Sequence, residues 1–475
     1  MILKEKLTSE AGFQYVIDNM ELMCSPGRRR MLQQSLMTDP IEMEAEYRRI
    51  ATVIKLLADE NCNRHIAAIR HQLMQTHDLQ GSLNSLHHRQ TLDEIELFEI
   101  KNFAFLCMET VKAATALGIG SLLAIPDLSS VFDLLDPDNT GIPNFYFYDS
   151  YHPELAALRQ QIKARRTLLD NKAPDDADIG RLQSEIGDLI ERQNVVSREV
   201  AVQLSEQLTV HADTLQQAFD RMAYTDFLFA KATLAAKWRL CLPEVRVDSL
   251  SFQGLWNPRL KHRNEELKRR YQPIDIELRS GVCLVTGANM AGKTVLLKSA
   301  GTAQLMAQFG FYVPAERASI IPVDDVVFCI GDEQNEMNGL SSFASEIIKI
   351  SDTVRRSRHE RMLIMIDEPA RTTNPVEGKA IVQAVTTLLN GCDSLSLITT
   401  HYSQLGTACR RLRVKGFVEA MSDKPLTPDN INEFMDYSLL PSDDDDVPQE
   451  ALRIATILQC DQELLDTATK QLSES

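Results

Sequence analysis

Between Leu3 and about Leu240, apolar residues recur at helical intervals, as at Ile95, Phe98, Phe103, Phe105 and Leu106, with little of the alternation a strand leaves. This half is expected to be mostly α. Within it, Pro153 to Asp170 places Leu155, Leu158 and Ile162 on one face, and Leu182, Ile186, Leu189 and Ile190 resume the pattern after a polar break. The pattern predicts two long antiparallel helices, at about 153–170 and 180–210. The break between them, Asn171 to Asp178, contains a proline and three aspartates and is only loop-sized. From Arg246 the texture changes to short apolar runs that end in turns: Val282 to Val285, Val326 to Ile330, Leu363 to Ile366 and Leu395 to Ile398. Helix-length segments separate them, as in parallel strands with crossover helices. Near the end, Asp443 to Asp446 form an acidic run read as a solvated linker, and Gln449 to Leu472 reads as two helices joined near Cys460 and Asp461. The expected domains are therefore a helical one at 1–245, an α/β one at 246–440 and a helical segment at 441–475.

Composition narrows this picture. At 475 residues and 44% hydrophobic content, the chain can bury more than one sizeable core. Its apolar stretches fall short of the roughly 20 residues a membrane span needs, and Met1 to Glu10 lacks the order of a signal peptide. A soluble cytoplasmic protein with no membrane partner is expected. The nine cysteines are scattered without metal-ligand spacing, which points to reduced thiols. A net charge of -17 works against a dominant nucleic-acid surface, which would have to be a local patch.

The strand at Val282 to Val285 runs into Gly287, Ala288, Asn289, Met290, Ala291, Gly292, Lys293 and Thr294, a G-x-x-x-x-G-K-T loop opening a helix, with Val295 in its first turn. Glycines let backbone N–H groups turn towards phosphates, and the helix amino terminus favours their charge. Lys293 then reaches the β- and γ-phosphates, and Thr294 can ligate Mg²⁺. The run Leu363 to Ile366 delivers Asp367 and Glu368 to a strand's carboxyl end, where α/β sheets place ligands. Asp367 is the expected Mg²⁺ partner and Glu368 the residue that polarises the attacking water. Taken alone, an Asp-Glu pair also suits a helix start. His401, after Thr399 and Thr400, is a candidate γ-phosphate sensor, although a lone histidine is more often simply hydrogen-bonded in a polar pocket.

Together these elements resemble the MutS family: TGANMAGKT (Thr286 to Thr294), YVPA (Tyr312 to Ala315), IGDEQNEMNGLSSFASEI (Ile330 to Ile347), IDEPARTTNPVEGKAI (Ile366 to Ile381) and TTHYSQL (Thr399 to Leu405). CSPGRRRML (Cys24 to Leu32) and YRRI (Tyr47 to Ile50) look like the opening of the family's helical core. The resemblance implies an ABC-type P-loop ATPase domain preceded by a mostly helical core and lever domain, with ATP and Mg²⁺ as ligands. It implies a dimer, of this chain or with a related subunit, in which Ser341 and Ser342 act on the opposite subunit's nucleotide. Of the family's base contacts, only Pro258 and Asp275 have counterparts, and the usual glycines after the Asp-Glu pair are replaced by Ala370 and Thr372.

The core-like sequence begins within the first 30 residues, so the family's mismatch-reading and connector domains are expected to be absent. The loop-sized 171–178 likewise leaves no place for the DNA clamp that the family inserts between its lever helices. DEPARTTNP and MDYSLLPSDDDDVPQEALRIATIL (Met435 to Leu458) resemble a MutS-related branch that reactivates an adenosylcobalamin-dependent lysine 5,6-aminomutase. An aminomutase reactivase is the first expectation. The alternatives are a DNA-binding paralogue acting on mismatched or branched DNA, supported by the basic run Arg259 to Arg270, and a nucleotide-gated scaffold without useful turnover.

Overall fold

The computed structural model describes residues 1–7, 12–171, 178–287, 291–331, 342–402, 405–418, 431–442, 452, 455–456 and 460–473. Contacts divide the chain into two compact units, one of residues 21–32 and 52–230, the other of 1–20, 33–51 and 231–475.

The first unit is helical. Its helix Glu94–Ala116 starts at a reciprocal cap, in which the Asp93 side chain accepts from the Glu96 N–H while the Glu96 carboxylate accepts from that of Asp93. Leu97, Ile100, Phe103, Ala104 and Cys107 form its buried face, whereas Ile95 and Phe98 point to solvent. The apolar pattern located this helix but mixed its two faces. The expected long pair is present as Pro153–Asp170 and Ile179–Thr209. Arg192 bonds Glu154 and Arg165 bonds Glu185, a pairing only antiparallel helices allow. Leu155, Leu158, Ile162, Leu182 and Ile186 are buried along the seam, and Leu189 and Ile190 are half-buried.

The second unit is built on two sheets. Its strands are β1 (Glu244–Val245), β2 (Leu250–Leu255), β3 (Ile274–Leu278), β4 (Gly281–Thr286), β5 (Arg317–Ile320), β6 (Asp325–Cys329), β7 (Met362–Asp367), β8 (Leu395–Thr399), β9 (Arg410–Phe417) and β10 (Met435–Pro441). The larger sheet has the order β10-β9-β4-β8-β7-β6 and is parallel except for the antiparallel edge strand β10. The four expected strands are its β4, β6, β7 and β8. They read as unbroken apolar runs because both faces are covered. Ile350, Val354, Val382, Val385 and Leu389 from helices Ser342–Arg356 and Pro375–Asn390 pack with Val282, Leu284, Ile364, Ile366 and Ile398. Helix Lys293–Gln308 lies close against the sheet at Gly301, where a Cβ would come within 2.2 Å of the Phe328 ring.

The smaller sheet, β1-β5-β2-β3, has strands in which polar and apolar residues mix, as in β2 and β3, so no unbroken apolar run marks it in the sequence. The boundary expected near 245 also differs from the compact units, because two amino-terminal segments pack with the α/β part. Lys6 Nζ bonds Asp325 at 2.6 Å and the Val326 carbonyl at 2.8 Å. The Met37 N–H and carbonyl bond Gln308, and the Tyr47 hydroxyl donates to the Ala307 carbonyl at 2.8 Å. Such long-range anchors leave no periodic trace. Of the two carboxyl-terminal helices expected, Gln462–Ser473 is observed, and the acidic run Asp443 to Asp446 lies outside the described residues.

Candidate active site

Strands β4, β8 and β7 are adjacent and parallel, with Val285 opposite Thr399 and Thr399 opposite Asp367. Their carboxyl ends therefore bring the phosphate loop, the Asp-Glu pair and the Thr-Thr-His segment together, the placement α/β sheets use for ligands. Gly287 and Gly292 have φ of 151° and 76°, and a Cβ on Gly292 would come within 3.1 Å of the Tyr437 ring. Both backbone conformations favour glycine, and at Gly292 a side chain would also crowd the Tyr437 ring. Ala288, Asn289 and Met290 lie outside the described residues, Ala291 is buried, and Val295 is half-buried in the first turn of helix Lys293–Gln308.

Lys293 is buried at the foot of the loop. Its ammonium donates to the Gly287 carbonyl at 2.8 Å and pairs with Glu368 Oε1 at 3.1 Å. The Asp367 carboxylate accepts from Thr294 Oγ1 at 2.6 Å and from Thr399 Oγ1 at 2.5 Å. Thr294 and Asp367 thus present hard oxygens side by side, a donor set suited to Mg²⁺, which takes few protein ligands and shares the rest with phosphate and water. Glu368 hangs from the end of β7 with its N–H on the Thr399 carbonyl and hydroxyl, at 3.1 and 3.0 Å. Arg371 approaches its second oxygen at 3.7 Å.

His401 is exposed and sits in ring contact with Tyr402 at 4.3 Å, at the same strand end but outside the hydrogen-bonded cluster of Lys293, Glu368 and Asp367. Ser342 opens helix Ser342–Arg356, and Ser341 lies outside the described residues. The Pro258 and Asp275 regions have structural partners. Asn257 caps helix Pro258–Glu266 through the Leu260 N–H, and Asp275 accepts from the Gly254 N–H at 2.6 Å.

The motifs contain Thr399, Arg371 and Tyr437 but assign them no role. Thr399 stands inside the Thr-Thr-His segment, but only the strand register shows its hydroxyl facing Asp367. Tyr437 reaches the phosphate loop from β10, about 145 residues later in the chain. Gln272 fixes it by accepting the Tyr437 N–H at 3.2 Å and donating to Asp436 at 2.9 Å. Against the desolvation of its site, bonds from Lys415, Ser438 and Gln272 hold Asp436 well below the usual carboxylate range. Burial pushes the Tyr437 phenol up.

Residues 283–473 match the family model described as MutS domain V, which is an ATPase domain. Among similar curated proteins, Endonuclease MutS2 of Agathobacter rectalis is 32% identical over 47% of this chain and 28% of its own length. Endonuclease MutS2 of Thermomicrobium roseum is 36% identical over 42% of this chain and 26% of its own. DNA mismatch repair protein MutS of Natronomonas pharaonis is 27% identical over 55% of this chain and 30% of its own. The matched part thus spans less than a third of each of these relatives.

Proposed function

We propose, from the premise that residues 283–473 carry a MutS domain V ATPase, that this chain hydrolyses ATP as a dimer and uses the cycle to drive movement of its helical part. The observation that carries the reading is the Lys293–Glu368 pair at 3.1 Å. In it, the phosphate-binding lysine and the water-polarising carboxylate neutralise each other. A polyphosphate is the stronger competitor for the ammonium, so bound ATP takes Lys293 and leaves Glu368 free to accept a proton from water. Thr294 and Asp367 hold Mg²⁺, which supplies charge neutralisation to the phosphates. The backbone N–H groups of the phosphate loop orient the phosphates, Tyr437 offers its ring beside the loop to the base, and His401, exposed at the same strand end, is the candidate sensor of the γ-phosphate. Ser341 and Ser342 act on the partner's nucleotide.

The names of the relatives put DNA first as client, so the leading reading is a MutS-type ATPase acting on mismatched or branched DNA. A second reading, reactivation of an adenosylcobalamin-dependent lysine 5,6-aminomutase, has other support. The chain carries a net charge of -17, and only residues 171–178 join the two long helices, which leaves no length for an inserted DNA clamp. Steady-state ATPase assays with branched DNA and with an aminomutase holoenzyme discriminate between them. Stimulation by DNA that fades steeply with salt supports the first, and stimulation by the aminomutase alone replaces it with the second.

A further inference from the structure

The turn that follows Asp367 holds backbone that its own residues do not favour. Glu368 and Ala370 have φ of 44° and 60°, a left-handed conformation that strains a non-glycine residue. Such strain persists only where the surroundings over-determine it. At Ala370 they do. The residue is completely buried, and both polar groups of its backbone are held by side chains from other elements. Its N–H donates to Glu346 Oε1 at 3.1 Å, and its carbonyl accepts from the Tyr402 hydroxyl at 3.3 Å.

Glu346 comes from helix Ser342–Arg356, and Tyr402 follows β8 beside His401. Space for Tyr402 depends on Gly378, where a Cβ would lie 2.1 Å from the Tyr402 hydroxyl oxygen and 3.0 Å from the Ala370 carbonyl oxygen. Burial pushes the Glu346 carboxyl up from its ordinary range, while the Ala370 N–H and the Arg371 charge pull it back. Arg371 also approaches Glu368, so one guanidinium acts on both carboxylates.

We infer that Glu346 and Tyr402 are positioning residues for hydrolysis, clamping the two sides of the Ala370 backbone and thereby fixing Glu368, two residues earlier, in the orientation that polarises water. Helix Ser342–Arg356 is thus mechanically tied to the catalytic carboxylate, and a shift of that helix changes turnover with nucleotide still bound. The inference rests on the reading of Glu368 as the water-polarising group.

The test is steady-state turnover of Mg-ATP by the full chain, with nucleotide affinity and melting temperature measured alongside, for E346A, E346Q, Y402F and G378A. E346A is expected to lower kcat about tenfold, the equivalent of one lost positioning hydrogen bond, with KM within about twofold. Y402F keeps the ring and loses only the hydroxyl, so it folds even where E346A does not, and it lowers kcat by a smaller factor in the same direction. G378A displaces Tyr402 and reproduces Y402F. In E346Q the amide oxygen accepts the same N–H and recovers most of kcat. Wild-type kcat in both E346A and Y402F overturns the inference, as does parallel loss of nucleotide affinity and melting temperature without rescue by E346Q. E368Q, run beside them, separates the two levels. Lost turnover in E368Q with normal turnover in the clamp variants sinks the clamp alone, whereas normal turnover in E368Q removes the reading of Glu368 and the clamp with it.

Discussion

Thr294 Oγ1 and Asp367 Oδ2 lie 2.6 Å apart, and Thr399 holds the other Asp367 oxygen. Two threonines from two other elements thus arrange a single carboxylate. A change that removes only the threonine oxygen should weaken the metal site and spare the phosphate loop. We predict that T294V raises the Mg²⁺ concentration for half-maximal turnover about tenfold, a hydrogen-bonded ligand's contribution of about 1.4 kcal/mol. A magnesium titration of ATPase activity checks this, and an unchanged midpoint contradicts the assignment. At this scale the sequence was most informative where a motif is contiguous. Gly287 to Thr294 and the Asp367–Glu368 pair could be read directly, since their spacing along the chain is also their spacing in the site. Thr399, Glu346 and Tyr437 could not, because register and packing bring them in from separate strands and helices, and Arg371, in the turn three residues after Glu368, has no role assigned by the motif.

Elements set the rigidity that these residues depend on. Helix Lys293–Gln308 starts at the phosphate loop and is pinned to the sheet at Gly301, where a Cβ would meet the Phe328 ring at 2.2 Å. G301A must push the helix or the ring aside, at a cost of about 1–3 kcal/mol for overpacking. A thermal melt should show the loss, and nucleotide affinity should fall with it, since the helix carries Lys293. A variant as stable as the parent would mean that the contact yields freely.

In the helical unit, the fully buried Lys101 pairs with Asp136 at 2.9 Å and also donates to the Tyr148 hydroxyl and the Asn144 carbonyl. Against the desolvation of its site, bonds from Thr140, Lys101 and Gly141 hold Asp136 down to about 2, from an ordinary 3.8. A depressed carboxylate stabilises the fold above its unfolded value, and that contribution is lost as the pH falls from near 4 through 2. It amounts to about 2 kcal/mol. Acid denaturation should therefore lose a step in this window in D136N. That variant should also be less stable at neutral pH by about 3–5 kcal/mol, because it strands the lysine charge. Helix existence was legible from periodicity, but Lys101 on a buried face and the exposed Ile95 and Phe98 were not. Their positions are decided by the partners the face meets.

For the whole molecule, no helix among the described residues is long and apolar enough to cross a membrane, and the acidic balance puts any anionic client against the overall field. The parallel arrangement of β4, β6, β7 and β8 was legible because buried strands are apolar on both faces. The second sheet and the amino-terminal segments packed with the α/β unit were not, because its strands mix polar with apolar residues and single long-range anchors such as Lys6 to Asp325 carry no period. Residues 283–473 match an ATPase domain, and each reading proposed for the chain's client passes through the Lys293–Glu368 pair.

Phosphate release from a single turnover of Mg-ATP, measured for the parent and for E368Q at matched nucleotide occupancy, tests that centre most directly. The amide keeps the shape of Glu368 and lacks its proton affinity. The predicted result is ATP bound as tightly as by the parent, with phosphate release slowed at least about a hundredfold, the usual contribution of a positioned general base. Phosphate released by E368Q at the parent's rate would contradict the account.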